Sequence, residues 1–246
     1  MITSQRRFNG EAPGRWAWLA LAAAPLVLVG CGATVGSGDV ATLEPDVDAF
    51  TSLEVSSAFD VAVRSGEGYS LVVRVDDNVV DQVRASVSGD TLTIAMDGSV
   101  SDVILEADVT VPDGSLTQVK ASGASTVLAD VALSGSAANV DATGASTIDV
   151  GAETTSLDVK AEGASTITVS GSAAELEVNA EGASSVDLVE LSAGNASADA
   201  EGASTIELTV SGSLEAEASG ASTIRYFGSP AQVSEDDSGS STIEPG

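Results

Sequence analysis

The stretch Gly163-Ala-Ser-Thr-Ile-Thr-Val-Ser-Gly-Ser-Ala-Ala-Glu-Leu-Glu-Val-Asn-Ala-Glu181 decides the fold, because its pattern starts again at Gly182. Internal repeats of about 20 residues indicate a solenoid, in which each unit stacks on the next. The intervals between successive starts are 21, 19, 19, 20, 18 and 19 residues. The tetrapeptide Gly-Ala-Ser-(Thr/Ser) begins at Gly123, Gly144, Gly163, Gly182, Gly202 and Gly220, and the variant Gly-Ser-Ser-Thr begins at Gly239.

Each unit contains two stretches in which apolar and polar residues alternate. In the quoted unit these are residues 166–170 and 174–180, with a turn at Gly171-Ser172 between them. A period of two predicts half-buried strands with the Glu residues outward. A unit this short cannot bury its apolar face alone, but it can when stacked on copies of itself. The sequence therefore predicts an all-β fold, a single parallel β-helix with about 19–20 residues per coil.

The repeated serine is predicted to point inward. Every second residue from Leu176 through Gly182 and Ser184 to Leu188 shares one face, and the opposite parity faces outward. A buried hydroxyl needs a partner, which either a ladder of like hydroxyls or the corner backbone supplies. The expected inward column is Ser125, Ser146, Ser165, Ser184, Ser204, Ser222 and Ser241, and the outward column is Thr126, Thr147, Thr166, Ser185, Thr205, Thr223 and Thr242.

A serine at one repeat position is also a candidate nucleophile, and the sequence argues against that role. The chain has no His to act as a base, and Lys120 and Lys160 are its only lysines. No Gly-x-Ser-x-Gly elbow sits on a predicted strand-to-helix turn. We therefore predict a structural column and no catalytic residue.

The regions around the repeats are expected to close the two ends of one β-helix domain, residues 46–246. Residues 46–115 lack the repeat but alternate in the same way between turn signals, so we expect N-terminal strands that cap the first coil. Asp77 to Val83 is compatible with one helical turn. Residues 116–228 are expected to form the repeat coils and residues 229–246 a C-terminal cap, since a bare end would pair with other chains.

The first 30 residues have the pattern of an export signal. Arg6, Arg7 and Arg15 make the N-terminal part positively charged, and an apolar run from Trp16 to Val29 follows. This run has the length of a signal peptide core and is too short for a comfortable membrane span. We predict that residues 1–30 are a lipoprotein signal peptide.

Cys31 is the predicted lipid-attachment site. Leu28-Val29-Gly30-Cys31 resembles the bacterial lipobox, in which the cysteine thiol is acylated (palmitate is one such group) and the chain is cut in front of it. The alternative is an ordinary signal peptide followed by an unrelated Cys. The Gly- and Ser-rich residues that follow predict that residues 31–45 comprise the lipidated Cys and a flexible tether. The expected location is the extracytoplasmic face of a membrane.

The charge of the chain excludes several partners. The formal net charge is −28, and removal of residues 1–30 would leave 6 basic and 36 acidic residues. Such a surface repels nucleic acid and anionic lipid headgroups, so neither is expected as a partner. It favours solubility, or attraction of cations or of a basic partner. The single Cys allows no intramolecular disulfide.

Carboxylate clusters raise the alternative of cation-linked stability. Calcium takes six to eight oxygen ligands, often from several carboxylates. The Gly-rich nonapeptide of calcium-binding β-rolls is missing, so a solvated acidic face is favoured and no metal or cofactor is predicted. The candidate clusters are Glu235-Asp236-Asp237, Asp76-Asp77, and the series Glu162, Glu181 and Glu201.

The order of these features resembles the family called putative auto-transporter adhesin, head GIN domain. The resemblance covers residues 46–244 and implies a right-handed parallel β-helix with a surface role in adhesion. It carries no known catalytic or ligand residues. The stretches that carry it are Phe50-Thr-Ser-Leu-Glu-Val, Phe59-Asp-Val-Ala-Val, Asp76-Asp-Asn, Thr91-Leu-Thr-Ile, Val109-Thr-Val-Pro, the Gly-Ala-Ser-Thr units and Ile224-Arg-Tyr-Phe-Gly-Ser-Pro.

We therefore expect a non-enzymatic, lipid-anchored cell-surface protein that binds or adheres through an acidic solenoid face. One alternative is a cation-stabilised structural protein of the envelope. Another is a polysaccharide-processing β-helix enzyme, but the repeats offer only Lys160 and Arg225 to meet an anionic sugar. The sequence names no protein or glycan ligand and no oligomeric state.

Overall fold

Residues 33–246 are described by the computed structural model, and they form an all-β solenoid of about seven turns. The predicted fold class is confirmed. No helix within this part of the chain is long and apolar enough to cross a membrane. The strands that precede the repeats are β1 (Thr34–Val35), β2 (Val40–Leu43), β3 (Ser52–Val55), β4 (Asp60–Ser65), β5 (Ser70–Asp76), β6 (Val83–Ser88), β7 (Thr91–Met96), β8 (Val100–Ser101) and β9 (Leu105–Val111).

The repeats form a parallel stack in which each strand pairs with its equivalent one unit away. Thr147 lies opposite Thr166, which lies opposite Ser185, so the register follows the repeat interval. Because the strands run around several sides of a coil, four of them are 15 to 17 residues long. The strands are β10 (Gln118–Ala121), β11 (Thr126–Ala142), β12 (Thr147–Ala161), β13 (Thr166–Ala180), β14 (Ser185–Ala200), β15 (Thr205–Val210), β16 (Ser213–Ala218), β17 (Thr223–Gly228), β18 (Gln232–Asp237) and β19 (Thr242–Pro245).

The interior is built from columns of like aliphatic side chains. β-Branched residues at the first inward position of each coil stack one strand apart, which buries surface that a single coil would leave exposed. A second column changes from Val to Ala towards the C-terminal coils. The first column is Val127, Ile148, Ile167, Val186, Ile206 and Ile224, each at most 1 % exposed, and the second is Val140, Val159, Val178, Ala198 and Ala216.

The Gly-Ala-Ser segment forms a tight corner between coils. Gly182 has φ +82°, a left-handed conformation that L side chains rarely adopt, and the amide of Ala183 donates to the carbonyl of Gly163 at 2.7 Å. The prediction that Gly182 shares the inward face of Ser184 is wrong. Gly182 is exposed because the positive φ turns the backbone before the chain re-enters the core.

The serine column is buried as predicted, except at its last member. Ser125, Ser146, Ser165, Ser184, Ser204 and Ser222 are each at most 2 % exposed, whereas Ser241 in the final coil is partly exposed. Thr and Ser at the next position lie on the outer side.

The strands before the repeats form a layer of mixed pairing. β5 is antiparallel to β9 and to β2, and β6 is antiparallel to β7. The coil formed by β3 and β4 lies in the middle: β7 and β9 pair with it on one side, and β10 and β11 on the other. A 3₁₀ helix at Asp77–Gln82 confirms the predicted helical turn.

Residues 33–43 differ from the expected flexible tether. β1 pairs in parallel with β8 in a separate two-stranded sheet, and β2 is an antiparallel edge strand beside β5, so this segment is ordered. Its Gly and Ser residues serve close packing against the segment that begins at Asp76, as described below.

The segment expected as a C-terminal cap continues the parallel stack. β18 pairs with β16, and β19 pairs with β17. In β18 the positions aligned with the buried residues Ala216 and Ala218 are Glu235 and Asp237, and both carboxylates are exposed at the end of the stack.

Candidate binding surface

One side of the solenoid carries most of its repeated carboxylates. We call it the acidic face and define it as the outward positions of the second half of each coil from β12 onward. Stacked strands lie about 4.8 Å apart, so its columns bring like charges close together. Lys160 is the one basic residue on it. Its ten acids are Asp158, Glu162, Glu175, Glu177, Glu181, Asp199, Glu201, Glu215, Glu217 and Asp236.

Charge along this side is balanced near the cap and unbalanced farther away. Glu54, Lys120, Asp141 and Lys160 follow one another in a single column, so basic and acidic residues alternate across four strands. The same column continues with Asn179, and then with carboxylates only. These are Asp199, Glu217 and Asp236.

A shallow groove of about 570 Å³ runs across the unbalanced part of the acidic face. Buried Leu176 and Leu214 form its floor, while Glu177 and Glu215 lie on its rim with neighbouring seryl hydroxyls. Asn195 is held in place, because its amide donates to Glu175 at 2.9 Å and its carbonyl accepts from the amide of Ser213 at 3.0 Å. The groove thus offers carboxylate acceptors on an ordered floor.

Crowding of like charges perturbs Asp158. Partial burial raises the pKa of this carboxyl above its ordinary value, and the neighbouring charges of Glu177 and Asp141 act in the same direction. A hydrogen bond with Asn139 and the charge of Lys160 oppose the rise. The ionised form is therefore less favourable in the folded protein than in the unfolded chain, which costs stability at neutral pH.

We expect Asp158→Asn to raise the melting temperature at pH 7 by about 1 °C, since the charge is partly screened by solvent. The cost of ionisation is present above the raised pKa and absent below the ordinary value of 3.8, so the gain should vanish as the pH falls through that range. Thermal melts from pH 3 to 8 measure it. Glu153→Gln, on a different side of the same coil, is the matched control, and an equal gain there would contradict the argument.

Every basic residue in the described part of the chain pairs with a carboxylate. Within residues 33–246, Arg225 contacts Glu207 and Glu244 at 2.5 and 2.8 Å, and Lys160 contacts Glu162 at 2.5 Å. At the cap, a hydrogen bond from Arg74, supported by Arg64, lowers the pKa of Asp108. The other pairs are Arg84 with Asp97 and Lys120 with Asp141.

The serine column satisfies backbone groups. The hydroxyl oxygen of Ser204 lies 2.9 Å from the carbonyl oxygens of both Ala180 and Glu201, which share its single proton, and the same arrangement recurs at Ser146, Ser165 and Ser222. Corner backbone, rather than a ladder of hydroxyls, is therefore the main partner. Among the column members that the structure describes, only Ser165 and Ser184 also approach each other, at 3.4 Å.

Removing one of these hydroxyls should cost stability. We expect Ser204→Ala to lower the free energy of unfolding by about 1 kcal/mol, because a buried hydrogen bond is lost. The effect stays small since the carbonyl of Ala180 also accepts the amide of Glu201 at 2.8 Å. Chemical denaturation measures it, with Ser197→Ala, exposed on the preceding strand β14, as the control. A loss of equal size at Ser197 would show that the hydroxyl contacts do not matter.

Two of the three candidate metal clusters do not converge, and in the third, the series Glu162, Glu181 and Glu201, Glu162 pairs with Lys160. Asp76 is buried and its carboxylate accepts backbone amides, while Asp77 accepts the hydroxyl of Ser37. Glu235 and Asp237 occupy positions on one face of β18, and Asp236 occupies a position on the other. In the described part of the chain, no group of three His, Cys, Asp or Glu residues is placed to hold a metal ion. Cys31, the predicted lipid-attachment site, lies outside the described residues, as does the signal peptide.

Sequence reasoning missed two features of the structure, one on the acidic face and one at the cap. The division of charge between its two ends follows from the strand register, and aligning the outward positions of successive units would have found it. The docking of residues 33–43 through Asp76 left no signal, because a Gly- and Ser-rich segment is typical of a linker.

The fold and the acidic face define a β-solenoid module whose repeated carboxylates lie on an outer face. The chain belongs to the family described as "Putative auto-transporter adhesin, head GIN domain", whose model matches residues 49–230. This confirms the resemblance drawn from the sequence and places the chain in an adhesin-like class.

Solved structures share the fold. A "putative adhesin" from Bacteroides fragilis has a TM-score of 0.77 at 20% identity, covering 86% of this chain and 99% of that one. A "Putative lipid binding protein" from Parabacteroides distasonis has a TM-score of 0.69 at 16% identity, covering 87% and 100%. A second P. distasonis structure, a "putative adhesin", has a TM-score of 0.66 at 18% identity with the same coverage. No curated protein matches the chain.

Proposed function

We propose that this protein is a non-enzymatic binding module of the cell surface, anchored by a lipid on Cys31, whose acidic face takes a cationic ligand. The observation that carries the proposal is the uncompensated column Asp199, Glu217 and Asp236, flanked by Glu215 and Glu177. The basic residues on the same side stop at Lys160. The unbalanced part of the face therefore attracts positive charge.

The spacing of these carboxylates suits an extended polycation. Glu215 and Glu217 stand two residues apart on one strand, about 6.8 Å, which matches alternate side chains of an extended peptide. On the neighbouring strands, about 4.8 Å away, Asp199 and Asp236 lie opposite Glu217, whereas serines lie opposite Glu215. Each contact is weak in water, but many together give useful affinity and a fast, salt-dependent association.

Binding of a Lys-rich peptide to the full-length protein in detergent tests the proposal. We expect Glu215→Gln/Glu217→Gln to weaken binding by about 3- to 10-fold, since each lost charge pair contributes up to about 1 kcal/mol. Asp149→Asn/Asp187→Asn makes the same charge change on a different side and serves as control. Equal weakening by both pairs would mean that only net charge matters, and would contradict a specific face.

The anchor has its own test. Cys31→Ala should move the protein from the membrane fraction to the soluble fraction, because acyl chains hold a protein at the bilayer. Unchanged membrane association would count against lipid attachment at this residue. Neither result depends on the peptide measurement.

A further inference from the structure

A buried carboxylate holds the N-terminal segment against the cap. Asp76 is 1 % exposed, and no basic side chain pairs with it in the described part of the chain. One carboxylate oxygen accepts the amide of Gly38 at 2.6 Å, and the other accepts the amide of Ile104 at 2.7 Å. A buried charge is tolerated only when hydrogen bonds compensate it, so these two bonds join the segment to the fold.

The next two residues hold the same segment, which we call the strap (residues 34–43). Asp77 accepts the hydroxyl of Ser37 at 2.6 Å, and its amide donates to the carbonyl of Asp39 at 2.8 Å. Asn78 accepts the amide of Ser37 at 3.2 Å and donates to the carbonyl of Val35 at 2.8 Å. Three consecutive side chains therefore hold residues 35–38 of the strap, and pairing with β5 holds residues 40–43.

Gly36 shows how closely the strap is fitted. A Cβ atom there would come within 2.5 Å of the carbonyl oxygen of Asp102 and 2.7 Å of the Asp76 carboxylate. Such distances leave no room for any side chain. Gly36 is therefore needed for close packing and not for backbone flexibility.

The strap lies at one end of the stack. On the side that carries the Thr column, the strands follow in the order β2, β5, β9, β4, β11, β12, β13, β14, β15, β17 and β19. With about 4.8 Å per strand, the two ends are about 48 Å apart. β2 is the edge farthest from the uncompensated carboxylates of the acidic face.

Cys31 precedes the first strap strand by three residues, which span at most about 10 Å. We propose that the clamped strap sets the direction of the solenoid on its membrane, with the cap against the lipid surface and the uncompensated part of the acidic face outward. Asp76 is the positioning residue. The inference rests on the lipid anchor of the proposed function and adds an orientation to it.

Energy transfer from the protein to labelled lipid tests the orientation. The full-length lipidated protein is placed in phosphatidylcholine vesicles that contain a lipid-headgroup acceptor dye. A donor dye is attached to Ser99→Cys in the cap or to Ser240→Cys in the last coil, both exposed serines. Acylation occupies the thiol of Cys31, so the introduced thiol is the one labelled. We expect at least about twofold more transfer from position 99 than from position 240.

Loosening the strap should reduce this difference. Asp76→Asn removes the charge, and Ser37→Ala/Asn78→Ala removes contacts without touching the buried carboxylate, so that at least one variant keeps the fold. A flexible Gly-Ser insertion after Gly32 leaves the strap docked but lengthens the connection. We expect all three changes to lower transfer from position 99 towards the value at position 240, while thermal melts of the insertion variant match those of the parent.

The outcomes separate the two proposals. Equal transfer from both positions in the parent protein, while it still floats with the vesicles, would overturn the orientation and leave the anchor intact. Unchanged transfer in all three variants would overturn the role of the strap. Protein that fails to float with the vesicles would overturn the anchor and, with it, this inference.

Discussion

Gly182→Ala is expected to lower the free energy of unfolding by about 3 kcal/mol or more. The residue has φ +82°, which costs an alanine about 1–2 kcal/mol. A Cβ atom there would also lie 2.6 Å from the carbonyl oxygen of Gly163. This oxygen accepts the hydrogen bond from the amide of Ala183 that joins the two coils. The two coils cannot separate without breaking this bond. At about 2–4 °C per kcal/mol, the melting temperature should fall by about 6–12 °C.

Two other glycines divide this effect into its parts. Gly89 has φ +61° and no atom within 4 Å of the place that a methyl group would occupy, so Gly89→Ala reports the backbone cost alone. Gly68 has neither a positive φ nor a close neighbour, so Gly68→Ala should be nearly neutral. In thermal melts, the melting temperature should fall most for the Gly182 variant, less for the Gly89 variant and least for the Gly68 variant. A Gly182 variant no worse than the Gly89 variant would show that the corner can spread apart.

The second large effect is expected from the core. Ile167→Ala should lower the free energy of unfolding by about 2–5 kcal/mol, because the side chain is fully buried and lies between Ile148 and Val186 in one column. Neighbouring coils on both sides hold their positions, so the cavity cannot collapse easily. Denaturant unfolding followed by circular dichroism measures the change.

Ile243→Ala, in the same column but in the last coil, is the matched control. Ile243 is partly exposed and has a partner strand on one side only, so its loss should cost less than about 1 kcal/mol. In a solenoid, stability is close to a sum over units and their interfaces. Equal losses at the two positions would contradict that description.

Features that depend on local sequence could be predicted, and features that depend on contacts between distant segments could not. The spacing of the Gly-Ala-Ser units predicts the stack, its register and the buried serines, because each unit repeats the same local pattern. The face of Gly182 was predicted wrongly because a positive φ breaks the alternation on which the prediction relied. Ser184 was still placed correctly, since the chain re-enters the core within two residues.

The cap and the strap were harder because they depend on pairing between distant segments. The chain forms the coil of β3 and β4, leaves it to build β5 to β9 on one side, and returns to add β10 on the other. The local sequence does not indicate which of these strands pair with each other. The strap was interpreted as a tether from its composition, and only the buried carboxylate of Asp76 reveals what its small residues contact.

The two carboxylates at the end of β18 have a consequence for assembly. A stack of near-identical coils has ends that match its own interior, so copies joining head to tail would grow into an open filament. Any copy added beyond β18 would have to cover Glu235 and Asp237 with apolar side chains, at the cost of burying unpaired charge. Repetition that makes the fold simple to build would favour such growth, and Glu235 and Asp237 oppose it at this end of the stack.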